Sequence, residues 1–466
     1  MSVQEDLRRS WRPKLNPRDR PKYLAIARAL AADVRAGALR PGERLPAQRA
    51  LARRLGVNLT TVMRAIAEAQ RQGVVDGQRG RGTFVREVAA VPGQATGAPA
   101  VIDLTNNLPP TIVDPPLASL LAAATAEACA GDGATAMLGY PVRGGNPSDR
   151  VSGAAWLSRR GLTLDPERIL VTAGADHALL IALLAFTRAG DTLLAEELTY
   201  PAVRALAAML GLRLVGVRVD EQGLDPEALR KAFRLRPKLL LCTPTIQNPT
   251  GSVLPAERRA AVVRLAREHG VLLLEDDVYG FLPTDAPAPL AALAPDTTVY
   301  LTSLKCIAPG LRIGYVAAAN ETLLGRMAAV ARATTWTPPT LVSAIATRWI
   351  QDGTAGAALA AVRRELAARQ TLAAQVLAGR SVQAHPVAPH LWLKLPRGWS
   401  RGAFVERARR HGVAVLAADA FATSDAVPEA VRVCLGSARD GHEAREALGR
   451  LQTTLREAHG LGPAVV

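Results

Sequence analysis

The chain has 466 residues, 49% hydrophobic and 21% charged, with a formal net charge of +16. That is length for two or three packed domains, and the apolar fraction excludes a mainly disordered chain. The longest apolar run, Ala178 to Phe186, falls far short of the ~20 residues of a spanning helix. The first residues (MSVQEDLRRSWRPK) carry charges where a secretory leader has an apolar core, and Cys129, Cys242, Cys306 and Cys434 are too scattered for a metal site or a disulfide framework. A cytoplasmic protein without metal is therefore expected.

Residues 1–86 hold 19 Lys/Arg against 7 Asp/Glu, so 12 of the 16 net positive charges fall there. This asymmetry points to a basic N-terminal module that meets a polyanion, followed by a nearly neutral globular body. Residues 1–20, rich in Arg and Pro, read as a flexible arm. Apolar residues at Ile26, Ala27, Leu30 and Val34 then form a helical stripe that stops at Gly37. Pro41-Gly42 makes a turn, and a second helix spans Ala47 to Leu55, with Leu51 and Leu55 inward. Gly56-Val57-Asn58 breaks it, and Asn58 is suited to cap a third helix. On that helix Val62, Ala65, Ile66 and Ala69 fall on the buried side, and Thr60, Thr61, Arg64 and Arg71 on other faces. Val74-Val75 and Thr83-Phe84-Val85 read as short strands around a turn from Asp76 to Gly82. Three helices and a hairpin over residues 21–86 make a winged helix-turn-helix.

Arg49, Arg53 and Arg54 are placed to neutralise phosphates, which sets register without reading sequence. Thr60, Thr61 and Arg64 lie at the front of the third helix, where side chains reach base edges. Gly80 and Gly82 permit a sharp turn of the wing, and Arg79 and Arg81 suit a narrow minor groove. The run GERLPAQRALARRLGVNLTTVMRAIAEAQRQGVVDGQRGRGTFV, residues 42–85, closely resembles the DNA-binding domain of GntR-type regulators. The resemblance implies a double-stranded DNA operator as partner.

Residues 87–101 (EVAAVPGQATGAPAV) read as a linker. From Ile102 onward, short apolar runs alternate with helical segments: Ile169–Thr172, Thr192–Ala195, Leu239–Cys242, Val271–Leu274 and Val299–Leu301. Uninterrupted runs of this kind imply an α/β domain with a mostly parallel, buried sheet. Polar residues follow the runs, at the ends where an open α/β sheet places its ligands. These are Asn248 in TPTIQNPTG, Asp276 and Tyr279 in EDDVYG, and Lys305 and Arg312 in TSLKCIAPGLRIGY. Asn248 and Asp276 are 28 residues apart, Asp276 and Lys305 29, and Lys305 and Arg312 7.

This array, with Tyr140 to Gly145, VTAGADHAL at residues 171–179 and ELTYP around Tyr200, resembles the fold-type I aminotransferases over residues 102–466. Those proteins bind pyridoxal 5′-phosphate and end in a smaller α/β subdomain. The resemblance implies Lys305 as the Schiff-base lysine, Asp276 as partner of the pyridinium nitrogen, Asn248 and Tyr279 on the phenolic oxygen, and Tyr200 on the ring face. It puts the phosphate on Arg312, Thr302 and the N–H groups of Gly174 and Ala175 at a helix N-terminus. Tyr140 is similar to the tyrosine that reaches the phosphate from the neighbouring subunit, and Arg432 in VRVCLG to the arginine that clamps a substrate carboxylate. Three positions depart from the family pattern: Asp176 stands where glutamine is usual, Leu304 where a serine precedes the lysine, and Asn106-Asn107 where a Gly-containing segment is common.

A GntR-type winged helix joined to an aminotransferase-like domain resembles the MocR regulators. That implies a homodimeric, pyridoxal-phosphate-dependent transcriptional regulator. In it the cofactor itself, or a small amine or amino acid forming an aldimine, would shift DNA affinity. A working aminotransferase with an appended DNA-binding module, and a scaffold that no longer holds the cofactor, stay open at this stage.

Overall fold

The computed structural model describes residues 11, 21–35, 39, 43, 45–71, 74–78, 82–85 and 101–457. The rest of the arm, the wing tip with Arg79, Gly80 and Arg81, and the linker up to residue 100 lie outside the described residues. The chain divides into two compact units, residues 1–98 and 99–466.

The first unit places helices Lys22–Arg35, Gln48–Leu55 and Leu59–Arg71 ahead of an antiparallel pair, Val75–Gln78 and Gly82–Val85. The second helix stops at Gly56, which takes the left-handed conformation (φ +61°) that a residue without Cβ adopts at no steric cost. Ile26, Leu30, Leu51, Val62, Ile66 and Val85 form the core. Two expectations change. Strand pairing runs as far as Gln78 opposite Gly82, into residues expected to turn. Trp11, expected in a flexible arm, is buried in this core, and its indole N–H donates to Asp33 at 2.7 Å. A tryptophan carries enough apolar area to tie down a segment of low helical periodicity.

The second unit is built on a seven-stranded sheet. Its strands run in the order Ile169–Thr172, Gly314–Ala317, Thr298–Ser303, Leu272–Asp276, Leu239–Cys242, Thr192–Glu196, Arg213–Val217. All neighbours are parallel except at Gly314–Ala317, which is antiparallel to both strands beside it. Alternate residues feed opposite faces. Leu193, Leu241 and Leu274 pack with helix Ala175–Phe186, whereas Leu194, Leu240 and Leu273 pack with helix Ala256–His269. Burial on both faces explains why these strands read as continuous apolar runs.

A second, four-stranded antiparallel sheet (Val382–Gln383, His390–Lys394, Ala430–Cys434, Leu416–Ala417) packs on helices Arg401–Arg410 and Gly441–Arg456. Strand Ile102–Asp103 pairs in parallel with Val413–Ala414 and so belongs with this smaller layer. Among the described residues no helix is long and apolar enough to cross a membrane.

The loop after Leu239–Cys242 is held by two buried charged side chains. Arg259 is fully buried and donates to the carbonyls of Leu254 (2.8 Å), Pro244 (2.8 Å) and Ala288 (3.2 Å) and to Thr245 Oγ1 (3.0 Å). Glu196 accepts from the Thr243 N–H at 2.7 Å, and burial pushes its carboxyl up to about 7. Replacing Arg259 with Met leaves the buried carbonyls of Leu254 and Pro244, and the more open one of Ala288, without this donor, and we expect a loss of about 3 kcal/mol or more. Thermal unfolding of the full chain measures it. An unchanged midpoint would mean the guanidinium does not hold this loop.

Candidate functional site

A cavity of about 450 Å³ opens where the parallel strands end, between the large sheet and the smaller one. Its floor comes from residues that follow the strands: Thr243, Asp276 and Ser303. Gly174, Ala175 and Asp176 close one end, Tyr200 and Tyr279 flank it, and Asn107 and Arg432 line the side toward the smaller sheet.

Lys305 lies in a short 3-10 turn after strand Thr298–Ser303, with its backbone N–H donating to Ser303 Oγ at 3.3 Å. Its Nζ stands 5.3 Å from the Tyr279 ring centre and 5.9 Å from that of Tyr200. Burial works against its charge, but Tyr279, Tyr200 and Asp276 together hold the amine above its ordinary pKa. Asp276 ends strand Leu272–Asp276. Burial pushes its carboxyl up to about 6 while the Lys305 ammonium pulls it down. Burial, then Asp176, raises the Tyr200 hydroxyl to about 12.

The smaller sheet contributes Arg432 and His390. Arg432 donates to Asn248 Oδ1 at 2.7 Å and to the Thr105 carbonyl at 2.6 Å, and its Cζ lies 4.7 Å from the Phe421 ring centre. Its Nε is buried without a partner. The arginine expected to clamp a carboxylate thus spends two of its nitrogens inside the chain, and Asn248 spends its oxygen on Arg432. His390, missed by the sequence reading, is fully buried, and burial lowers it to about 3, so it is neutral. Its Nε2 lies 3.1 Å from the Gln247 carbonyl, which only accepts, so Nε2 carries the proton. Nδ1 must therefore accept from Asn107 Nδ2 at 3.0 Å, which leaves Asn107 Oδ1 buried and unpartnered. A buried histidine in the apolar run HLWLK gives no sequence signal beyond its own presence.

At the other end Arg312, with left-handed backbone (φ +49°), follows the turn Pro309–Leu311. Its Nη2 lies 3.3 Å from Asp176 Oδ2, with side chains 61% and 45% exposed. Gly174 (φ +84°) caps the helix that Ala175 begins. Thr302 is not brought to the cavity. Side chains alternate along the strand, so Thr302 turns inward, its hydroxyl donating to the Asp277 carbonyl at 3.2 Å, and Ser303 lines the cavity instead. Leu304 is buried in the core. Tyr140 does not line this cavity: it is 93% exposed, with its ring 6.1 Å from that of Trp336.

The first unit carries a separate exposed face. Arg49, Arg53, Arg54, Thr60 and Arg64 are exposed and Thr61 is half-buried. The Arg64 guanidinium lies 5.1 Å from the Tyr23 ring centre, which restricts it. Met63, 51% exposed, shares that face with Thr60, Arg64 and Ala67 at helical spacing.

Residues 22–85 match the family described as bacterial regulatory proteins, gntR family, and residues 99–451 match aminotransferase class I and II. The chain is 27% identical over 452 residues to the uncharacterized HTH-type transcriptional regulator YdeF of Bacillus subtilis, covering 96% of this chain and 97% of that one. It is 34% identical over 300 residues to the HTH-type pyridoxine biosynthesis transcriptional regulator PdxR of Corynebacterium glutamicum, covering 60% and 62%. Among solved structures, an archaeal alanine:glyoxylate aminotransferase superposes with a TM-score of 0.70 at 23% identity, over 76% of this chain and 90% of that one.

Gly314 lets its strand approach the Gly174 cap. A Cβ there would lie 2.7 Å from Thr172 Oγ1 and 2.8 Å from the Gly174 carbonyl carbon. Gly314→Ala is expected to destabilise the second unit by about 1–3 kcal/mol. Gly310→Ala, with nothing within 4 Å of the added carbon, should change it little. Equal thermal midpoints for the two variants would contradict the close approach.

Proposed function

The chain belongs to the MocR-type transcriptional regulators, a gntR-family DNA-binding domain joined to an aminotransferase class I and II body, and on that premise we propose that its DNA binding answers to pyridoxal 5′-phosphate, or to a small amine or amino acid, at the Lys305 cavity. The observation that carries this reading is the convergence of Lys305, Asp276, Tyr200, Tyr279 and the Gly174–Arg312 end on one cavity. The name of PdxR, a regulator of pyridoxine biosynthesis, supports a ligand of that chemical class.

The residues present fit such a cofactor. A carboxylate sits on the floor, an amine stands between two aromatic rings, and a helix N-terminus with an arginine closes the far end. Buried polar atoms without partners, Asn107 Oδ1 and Arg432 Nε, sit on residues of the wall. When bound, pyridoxal phosphate supplies an electrophilic aldehyde on an electron-withdrawing ring.

In this reading Lys305 would supply the amine for that aldehyde, and Asp276 would face the ring nitrogen and favour its protonated form. The Asn248 amide and the Tyr279 hydroxyl donate to the phenolic oxygen, and Tyr200 covers one ring face. The Ala175 N–H, with Arg312 and Ser303, would hold the phosphate, whereas the Gly174 N–H, also expected there, already donates to the Thr172 carbonyl at 2.8 Å. Arg432 offers Nε to a ligand carboxylate. Tyr140, exposed here, serves the site of a neighbouring subunit in a homodimer. Such a dimer presents two winged helices and calls for two operator half-sites. On each, Arg49, Arg53 and Arg54 meet phosphates, Thr60, Thr61 and Arg64 face bases, and Arg79 and Arg81 enter the minor groove.

Titrating the full chain with pyridoxal phosphate should produce a visible absorption band that Lys305→Ala abolishes. A band that survives the substitution would remove Lys305 from the reading. Release of a keto acid on adding amino acids would favour the aminotransferase alternative. Arg64→Ala should weaken specific DNA binding about 10-fold, within the range for a base contact, and binding to random DNA far less. Equal losses on both would move the base-reading face elsewhere.

A further inference from the structure

We propose that Asp176 makes pyridoxal phosphate an exchangeable ligand of this cavity, because its carboxylate already pairs with the arginine that the incoming phosphate must use. This rests on the cofactor reading above. Asp176 is the second residue of helix Ala175–Phe186, where the first N–H groups have no intrahelical partner and the dipole favours negative charge. Its Oδ2 lies 3.3 Å from Arg312 Nη2, and after burial its charge is what most raises the Tyr200 hydroxyl. One carboxylate in the first turn of that helix therefore already holds the guanidinium that an anion would seek there.

The charges at this end cancel. Arg312 contributes +1 and Asp176 −1, and a phosphate monoester arrives with roughly −2. The other cations of the cavity face elsewhere. Arg432 is bonded to Asn248 and Thr105, and Lys305 stands between the tyrosine rings. Hydroxyl donors do not make up the difference. Ala175 and Leu304 have none, and the Thr302 hydroxyl is committed to the Asp277 carbonyl, so strand Thr298–Ser303 brings only the Ser303 hydroxyl to the cavity.

Exposure makes the arrangement reversible. Both partners of the Asp176–Arg312 pair are about half open to water, and pairs of that kind are weak. Phosphate can displace the carboxylate, but it then lies beside a like charge. The consequence is a site whose occupancy follows the free concentration of pyridoxal phosphate instead of staying saturated, as sensing the cofactor itself requires.

The test compares the full-length wild-type chain with Asp176→Asn, which keeps the shape and removes the charge. Both are titrated with pyridoxal phosphate and with pyridoxal, which lacks the phosphate, following the visible band and equilibrium dialysis. The expected result is a gain of about tenfold or more for pyridoxal phosphate, ~1.4 kcal/mol, and no change for pyridoxal. Asp176→Gln, a second neutral variant, should move affinity in the same direction. Unchanged or weaker binding of pyridoxal phosphate in both variants overturns the inference, as does an equal gain for pyridoxal. If wild type and variants all fail to give the Lys305-dependent band, the cofactor reading itself has failed and this inference with it. Binding by wild type with no gain in the variants sinks this inference alone.

Discussion

An ammonium group set among aromatic rings and buried strands has to be answered by nearby charge and hydroxyls. The second unit is arranged around that requirement at Lys305. Burial alone would lower the pKa of the amine; Tyr279, Tyr200 and Asp276 reverse the sign of its shift. Asp276 and Tyr279 come from one strand end and the turn after it, Tyr200 from the loop after another strand. The sheet's parallel core brings these ends to one edge. Buried anchors behind the loops, Arg259 on three carbonyls and Glu196 on the Thr243 N–H, keep them there.

Two polar links join the large sheet to the smaller one across the cavity. Arg432 reaches Asn248 and Thr105, and His390 reaches Gln247 on one side and Asn107 on the other. Both rest on fixed donor and acceptor roles. A carbonyl only accepts, which sets the His390 tautomer and, through it, the orientation of the Asn107 amide. A ligand that drew the Arg432 guanidinium toward itself would weaken one of these links. Ligand control of DNA binding needs such unequal interaction with two arrangements, since equal affinity for both shifts nothing.

Much of the large domain was legible because its strands are buried on both faces and read as plain apolar runs. Strand Gly314–Ala317 was not, since GYVA is short, opens on a glycine and follows the Pro- and Gly-bearing turn after Lys305. Arg213–Val217, at the sheet edge and partly exposed, also lacks a continuous apolar signal. The cluster of Asn248, Asp276, Lys305 and Arg312 was found because its members follow apolar runs in motifs that resemble those of a known family. The Thr302 assignment reversed because motif position does not say which way a strand residue points, and alternation along Thr298–Ser303 sends Ser303 to the cavity. His390, Gln247 and Asn107 act through contacts between residues more than a hundred positions apart along the chain, for which local pattern carries no information. Trp11 was hidden in an Arg- and Pro-rich stretch whose composition suggested an arm.

Regulation through the cavity is tested most directly by measuring DNA affinity with and without its proposed ligand. Fluorescence anisotropy would follow a duplex, selected for binding by the full chain, titrated with protein at fixed salt. The titration is run with and without pyridoxal phosphate, for wild type and for Lys305→Ala. Control through Lys305 predicts a change in wild-type affinity of at least several-fold on adding the cofactor, and none in the variant. The same affinity with and without cofactor in wild type, under conditions where the visible band shows the cofactor bound, would contradict it.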